Sequence, residues 1–201
     1  SANTFAYTLK SGTKASNYAI STTEGLLPIT ENTSALVITS SSKSWTYDGN
    51  NHTDEIYMVS YGGATVAPDD ATGKVFTLPT GDKVTITSTA SGVTQYSDNA
   101  AQNNTYTYVL DNANQYQTVT ANAGTLSIER KAVTISALPQ TYTYTGTAQG
   151  PEGTHTDNIS TYAEYDELAT GDVLWGITLS GSQLNAGTYI KDIEPSSAVI
   201  K

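Results

Sequence analysis

Cysteine is absent from the 201 residues. No disulfide framework and no thiolate metal site can therefore form. There are only two histidines, His52 and His155, each alone in a polar stretch. No Glu-x-x-His or His-x-x-x-His occurs, which argues against zinc. Basic residues are scarce, nine Lys plus Arg against nineteen Asp plus Glu, for a net charge of −10. That balance disfavours nucleic acid and anionic membranes as partners, since neither offers a counter-charge. The charges are scattered singly, as on a solvated surface. No long apolar run, signal peptide or anchor motif is present, so membrane insertion is not expected. Leu, Ile, Val and Phe make up only about a fifth of the chain, close to the composition at which folding fails. Against this stand fourteen Tyr, two Trp and abundant Thr in alternating runs. These residues favour strands, and the balance describes small β modules with thin cores.

The chain repeats itself. GTLSIERKAVTISALPQTYTYTG (Gly124 to Gly146) echoes GLLPITENTSALVITSSSKSWTYDG (Gly25 to Gly49), and the opening glycines lie 99 residues apart. Each copy reads Gly-x-Leu-x-Ile, a polar break, a Val/Ile/Thr strand and an aromatic-Thr-Tyr-x-Gly close. A period of this length marks a module.

Three segments follow. Residues 1–32 hold NTFAYTL (Asn3 to Leu9), Asn17-Tyr18-Ala19-Ile20 and Gly25-Leu26-Leu27-Pro28-Ile29. They match NTYTYVL (Asn104 to Leu110), the Gln115–Val119 run and Gly124–Ile128, and so read as the last strands of a preceding copy. Residues 33–130 form the one complete copy. Its strands at Leu36–Thr39, Ser44–Tyr47, Glu55–Tyr61, Val75–Leu78 and Lys83–Thr89 are separated by Asp-Gly, Gly-Gly and Pro-Asp-Asp turns, which predicts an antiparallel module. Residues 131–201 restart the cycle with Ala132-Val133-Thr134-Ile135, Tyr142-Thr143-Tyr144-Thr145-Gly146 and Leu168-Ala169-Thr170-Gly171-Asp172. Here Gly187–Ile193 is expected in the NTYTYVL place, Ser160–Leu168 is the one stretch with helical character, and the final hairpin is lacking. A half-finished β module has an open edge. Residues 1–32 are expected to complete a neighbouring molecule's last copy by strand exchange, or to remain a frayed end.

Tyr47-Asp48-Gly49 after a Val-Ile-Thr strand, Thr-Gly-Asp at 80–82 and 170–172, and Asn-Tyr…Gly-x-Leu-x-Ile-Thr at 17–30 together resemble the YDG and MBG type repeats of bacterial surface adhesins. The likeness spans nearly the whole chain. The second YDG position reads Tyr144-Thr145-Gly146, so the Asp is dispensable there and Asp48 is a poor candidate for catalysis or ligand binding. The resemblance implies an extracellular location on a bacterial cell surface or cell wall. It also implies neighbouring repeats of the same chain as partners. The expected fold is all-β: tandem antiparallel β-sandwich modules, Ig-like or β-grasp-like, in an elongated rod. The expected function is a stalk that projects a binding region, with no catalysis and no cofactor.

Rival readings rest on particular residues. Trp45 with Tyr47, and Tyr142 with Tyr144, are i, i+2 pairs, as are Tyr106 and Tyr108. Such pairs either stack on the apolar face of a sugar, making a host glycan or mucin the partner, or fill the core. Asp48, Asn50, Asp54 and Glu55 have the oxygen density of a Ca²⁺ loop but not its spacing. Asp69-Asp70 is a weaker case, and turn chemistry explains both. No Gly-x-Ser-x-Gly occurs. Paired carboxylates in a cleft would point instead to an accessory domain of a carbohydrate-active enzyme. Lys43, Lys83 and Lys131 are candidates for Lys–Asn isopeptide bonds, though ordinary surface lysines fit them as well.

Overall fold

The computed structural model describes residues 6–201. Alternation of period two decides which side chains each strand buries. In β1 (Leu36–Ser40) the side chains of Leu36, Ile38 and Ser40 are buried while Val37 and Thr39 are half-buried. β2 (Lys43–Thr46) follows after a two-residue break. In β3 (Tyr57–Tyr61) Tyr57 and Val59 point inward, leaving Ile56 and Met58 exposed. The rest of this unit is β4 (Ala64–Val66), β5 (Val75–Thr77), β6 (Lys83–Ser88), β7 (Tyr106–Leu110), β8 (Val119–Asn122) and β9 (Leu126–Glu129).

These strands form sheets in the orders β4-β3-β1-β8, β5-β6-β7 and β2-β9. One apolar cluster joins the first two sheets: Leu36, Ile38, Tyr57 and Val59 meet Phe76, Val84, Ile86 and Leu110. A smaller cluster of Val93, Leu126 and Ile128 lies under Trp45 and Tyr47. At about 25 cal/mol per Å² of apolar surface removed from water, such burial is what opposes the chain entropy of so small a unit.

The antiparallel expectation needs correcting at two pairings. β1 runs parallel to β8, with Leu36 opposite Val119. β2 runs parallel to β9, with Lys43 opposite Leu126. Parallel neighbours need a long crossover, and here the sheet β5-β6-β7 serves as part of it. The same register passes through the break at Ser41–Ser42, so 36–46 and 119–129 form one bent ribbon. The bend is held by Ser40, whose Oγ donates to the Asn104 carbonyl at 2.6 Å and accepts from the Gly124 amide at 2.8 Å. Asn104 Nδ2 in turn donates to the Ser41 carbonyl at 2.9 Å. Gly124 is required there, because an added Cβ would lie 2.0 Å from the Ser41 oxygen.

A second group of strands is β10 (Ile135–Ala137), β11 (Gly153–His155), β12 (Ala163–Tyr165), β13 (Leu174–Ser180) and β14 (Glu194–Ile200). They pair as β10-β12 and β11-β13-β14 around Ala163, Ile177 and Leu179, with Ile135, Ile159 and Ile193 packed alongside. β13 and β14 take the places of β6 and β7: Leu174 faces Ile200 as Val84 faces Leu110. Gly187–Ile193, expected as that strand, is instead the turn before β14. Lys191 sits at φ +62°, which breaks an extended run. The helical character expected over Ser160–Leu168 amounts to one 3-10 turn, Ile159–Thr161, followed directly by β12.

Residues 6–31 form no strand, and all of them are exposed. The Asn3–Leu9 run begins outside the described residues. The other two expected strands, Asn17–Ile20 and Gly25–Ile29, do not form: Ala15–Asn17 is a 3-10 turn, and only Gly25 makes an isolated bridge. Among the described residues no helix is long and apolar enough to cross a membrane.

Candidate functional site

Trp45 lies at the end of β2 with its inward face on Val93, Leu126 and Ile128. Its ring stacks on His52 at 4.9 Å between centroids and 17° between planes. His52 Nε2 meets Asp48 Oδ1 at 3.0 Å, and the Asn50 amide donates to the same oxygen at 2.9 Å. The Asn50 amide, followed by His52, pulls the Asp48 pKa down to about 2. The other oxygens of the supposed calcium loop face elsewhere. Asp54 accepts from Ser41 Oγ at 2.7 Å, and Glu55 pairs with Lys74 at 2.6 Å. Asp70 accepts from Thr72 within its own turn, and Asp69 accepts from Thr77 on β5. Among the described residues no three His, Cys, Asp or Glu side chains share a position where an ion could bind. Lys43 is exposed, 5.2 Å from the Trp45 ring, and Lys83 is exposed at the start of β6.

Tyr47 does something the sequence did not announce. Its hydroxyl donates to Asp172 Oδ1 at 3.3 Å, across to the second group of strands. Partial burial first, then the Asp172 carboxylate, pushes its pKa up. Beside it, the Thr170 amide donates to the Asp48 carbonyl at 3.1 Å. The Tyr-Asp-Gly turn of one copy thus seats on the Thr-Gly-Asp turn of the next.

Tyr142 and Tyr144 are differently placed. They correspond to Trp45 and Tyr47 but are 44% and 65% exposed, so the core reading fails for this pair. They line an open groove with a cavity volume of about 490 Å³, whose other wall carries Gln183, Leu184, Asn185, Tyr189 and Asp192. Gln149 and Gln183 bridge its floor, as His52 and Val93 do in the complete copy. Tyr189 donates to the Asn185 carbonyl at 3.0 Å, and Gln183 Nε2 to Asp192 Oδ2 at 2.9 Å. Ring faces beside amide and carboxylate groups suit stacking plus hydrogen bonding. His155 is occupied elsewhere, stacked on Tyr162 at 3.9 Å with Nε2 2.7 Å from the Pro151 carbonyl. Sequence reasoning missed Tyr189, Gln183 and Asp192. The repeat itself could have found Gln183, since Gln149 and Gln183 stand where His52 and Val93 do. No protein-family model matches this chain, and no significant match is found among curated proteins or solved structures.

Proposed function

We propose that this chain is a structural stalk segment of a bacterial surface adhesin, built of β-sandwich repeats in an elongated rod and displayed outside the cell. It catalyses nothing and needs no cofactor. The observation that carries this reading is the contact between Asp48–Gly49 and Thr170–Asp172. Both partners are repeated motifs, so the same joint can recur at every boundary of an array. The unused halves, Gly81 and Gly146, have open space around them. Small-angle X-ray scattering tests the proposal. An extended particle is expected, and a profile typical of a compact globule would sink it.

A second reading has its own support. The exposed Tyr142–Tyr144 face and its groove offer a stacking surface for a host glycan or mucin. Saturable binding on a glycan and mucin array, abolished by Tyr142→Ala, would replace the spacer with a binding module. Silence across the array is expected if the segment only projects.

A further inference from the structure

We infer that the cleft beside Arg130 and Lys131 binds a carboxylate-bearing sugar, a uronic or sialic acid unit of an anionic glycan. The site is built on β2, β9 and the turn that covers them, and it is separate from the Tyr142 groove.

Strand alternation places its parts. Leu126 and Ile128 share one face of β9 and are buried in the cluster under Trp45 and Tyr47. Arg130, one residue past the end of β9, continues that row beyond the edge of the cluster. Its guanidinium lies over the Tyr96 ring, 4.2 Å from the ring centre. On β2, Thr46 pairs with Glu129, and the next amide, that of Tyr47, donates to the Glu129 carbonyl at 2.8 Å. Tyr47 therefore stands beside Arg130. Gln95, Ser97 and Lys131 complete the lining of an open cleft of about 560 Å³.

The walls are held before any ligand arrives. Asn99 Nδ2 donates to the Ile128 carbonyl at 2.9 Å, and the Ile128 amide donates to Asn99 Oδ1 at 2.7 Å. These two bonds fasten the 3-10 turn Tyr96–Asp98 to β9. The Asp98 carboxylate accepts from the Thr94 and Gln95 amides, both at 2.8 Å, which fixes the start of the same turn. Tyr47 is anchored through its hydroxyl to Asp172. A site already ordered in this way loses little entropy on binding.

The charge pattern selects the ligand. Arg130 and Lys131 are the only adjacent pair of cations in a chain of net charge −10. Among the described residues neither meets a carboxylate at ion-pair distance. The nearby carboxylates are engaged by other donors: Glu129 by Ser44 Oγ at 3.0 Å, Asp166 by the Thr134 amide at 2.7 Å, and Asp98 and Asp172 as above. Two neighbouring cations thus remain available beside two tyrosine rings. The acidic field of the whole chain repels a densely charged polyanion, whereas a glycan with one carboxylate per sugar meets far less repulsion. A guanidinium fork takes a carboxylate through two parallel hydrogen bonds. Tyrosine faces suit the apolar face of a pyranose, and Gln95 and Ser97 can bond its hydroxyls. An acidic peptide would use the cations and leave the rings without a matching surface.

Isothermal titration calorimetry of the full 201-residue chain tests the inference. The probes are tetragalacturonate and sialyllactose, with their methyl esters and a tetraglutamate peptide as controls. Saturable binding of at least one carboxylated probe is expected, and the one that binds separates a uronic from a sialic source. Its methyl ester should bind at least about tenfold more weakly, since esterification removes the charge-assisted pair. Arg130→Gln/Lys131→Gln should show the same loss with an unchanged melting curve. Arg130→Lys, which keeps the charge without the fork, should fall between this variant and the parent. Lys83→Gln, which removes an exposed cation on β6, should bind as the parent does. Absence of saturable binding by both probes, equal binding of the methyl ester, binding that survives the paired change, or tighter binding of tetraglutamate would each overturn the proposal. Scattering from the unliganded chain tests the stalk reading independently.

Discussion

The Asp48 carbonyl accepts a hydrogen bond from the Thr170 amide at 3.1 Å, and this contact ties the two strand groups together. Gly49, next in the turn, has φ +84°, and an added Cβ would sit 2.4 Å from the Thr170 oxygen. Gly146, its counterpart, has φ +79° and nothing within 4 Å. Gly49→Ala should therefore break the joint as well as strain the turn. Gly146→Ala should cost only the turn strain, about 1 kcal/mol. Proteolysis near residues 130–133 should quicken in the first variant alone.

Ser40 is buried, and its hydroxyl is the acceptor for the buried Gly124 amide. Ser40→Ala leaves that donor unsatisfied at a cost of about 1–3 kcal/mol. Gly124→Ala forces a methyl group into the Ser41 carbonyl and should cost about 3 kcal/mol. Urea midpoints with unchanged slopes would establish both.

Leu126 is fully buried in the small cluster beneath Trp45. Leu126→Ala should lose about 2–5 kcal/mol. Because Trp45 covers that cluster, its fluorescence should shift to the red at denaturant concentrations where the parent is still native. A fluorescence midpoint unchanged from the parent's would contradict this.

The acid limb of stability carries the signature of Asp48. Its pKa falls from 3.8 to about 2 on folding, so the folded state favours the carboxylate. Its contribution is complete above about pH 4 and is lost as pH falls toward 2. Thermal midpoints measured from pH 5 to pH 2 should fall less steeply in Asp48→Asn than in the parent. Parallel curves would show that the turn does not titrate in this way.

Much of the strand content was legible because alternation is a local property. Val84 and Ile86 between Lys83, Thr85 and Thr87 admit one inward face, and the structure uses it. Pairing is not local, so nothing within Leu36–Ser40 reveals that its neighbour Val119–Asn122 runs parallel. Asn99 and Asn103 are harder still, since their side chains stand in for a strand that the chain does not form there. Thr188-Tyr189-Ile190 alternates like a strand, but the left-handed Lys191 ends the run, and the plainer Glu194–Ile200 takes the place beside β13. For the candidate site, Tyr142 and Tyr144 were named from spacing alone. Their exposure depends on what packs against them, which no property of the pair itself encodes.

The parallel ribbon has a mechanical meaning. β1 begins at one end of it and β9 finishes at the other, so tension applied through the chain at residues 33 and 130 pulls the two halves lengthwise past each other. The ladder bonds of Leu36–Thr39 and Lys43–Thr46 are then loaded together in shear, not peeled one after another from an end. Under such a pull the unit yields all at once or not at all, and its first and last strands are the ones that bear the strain.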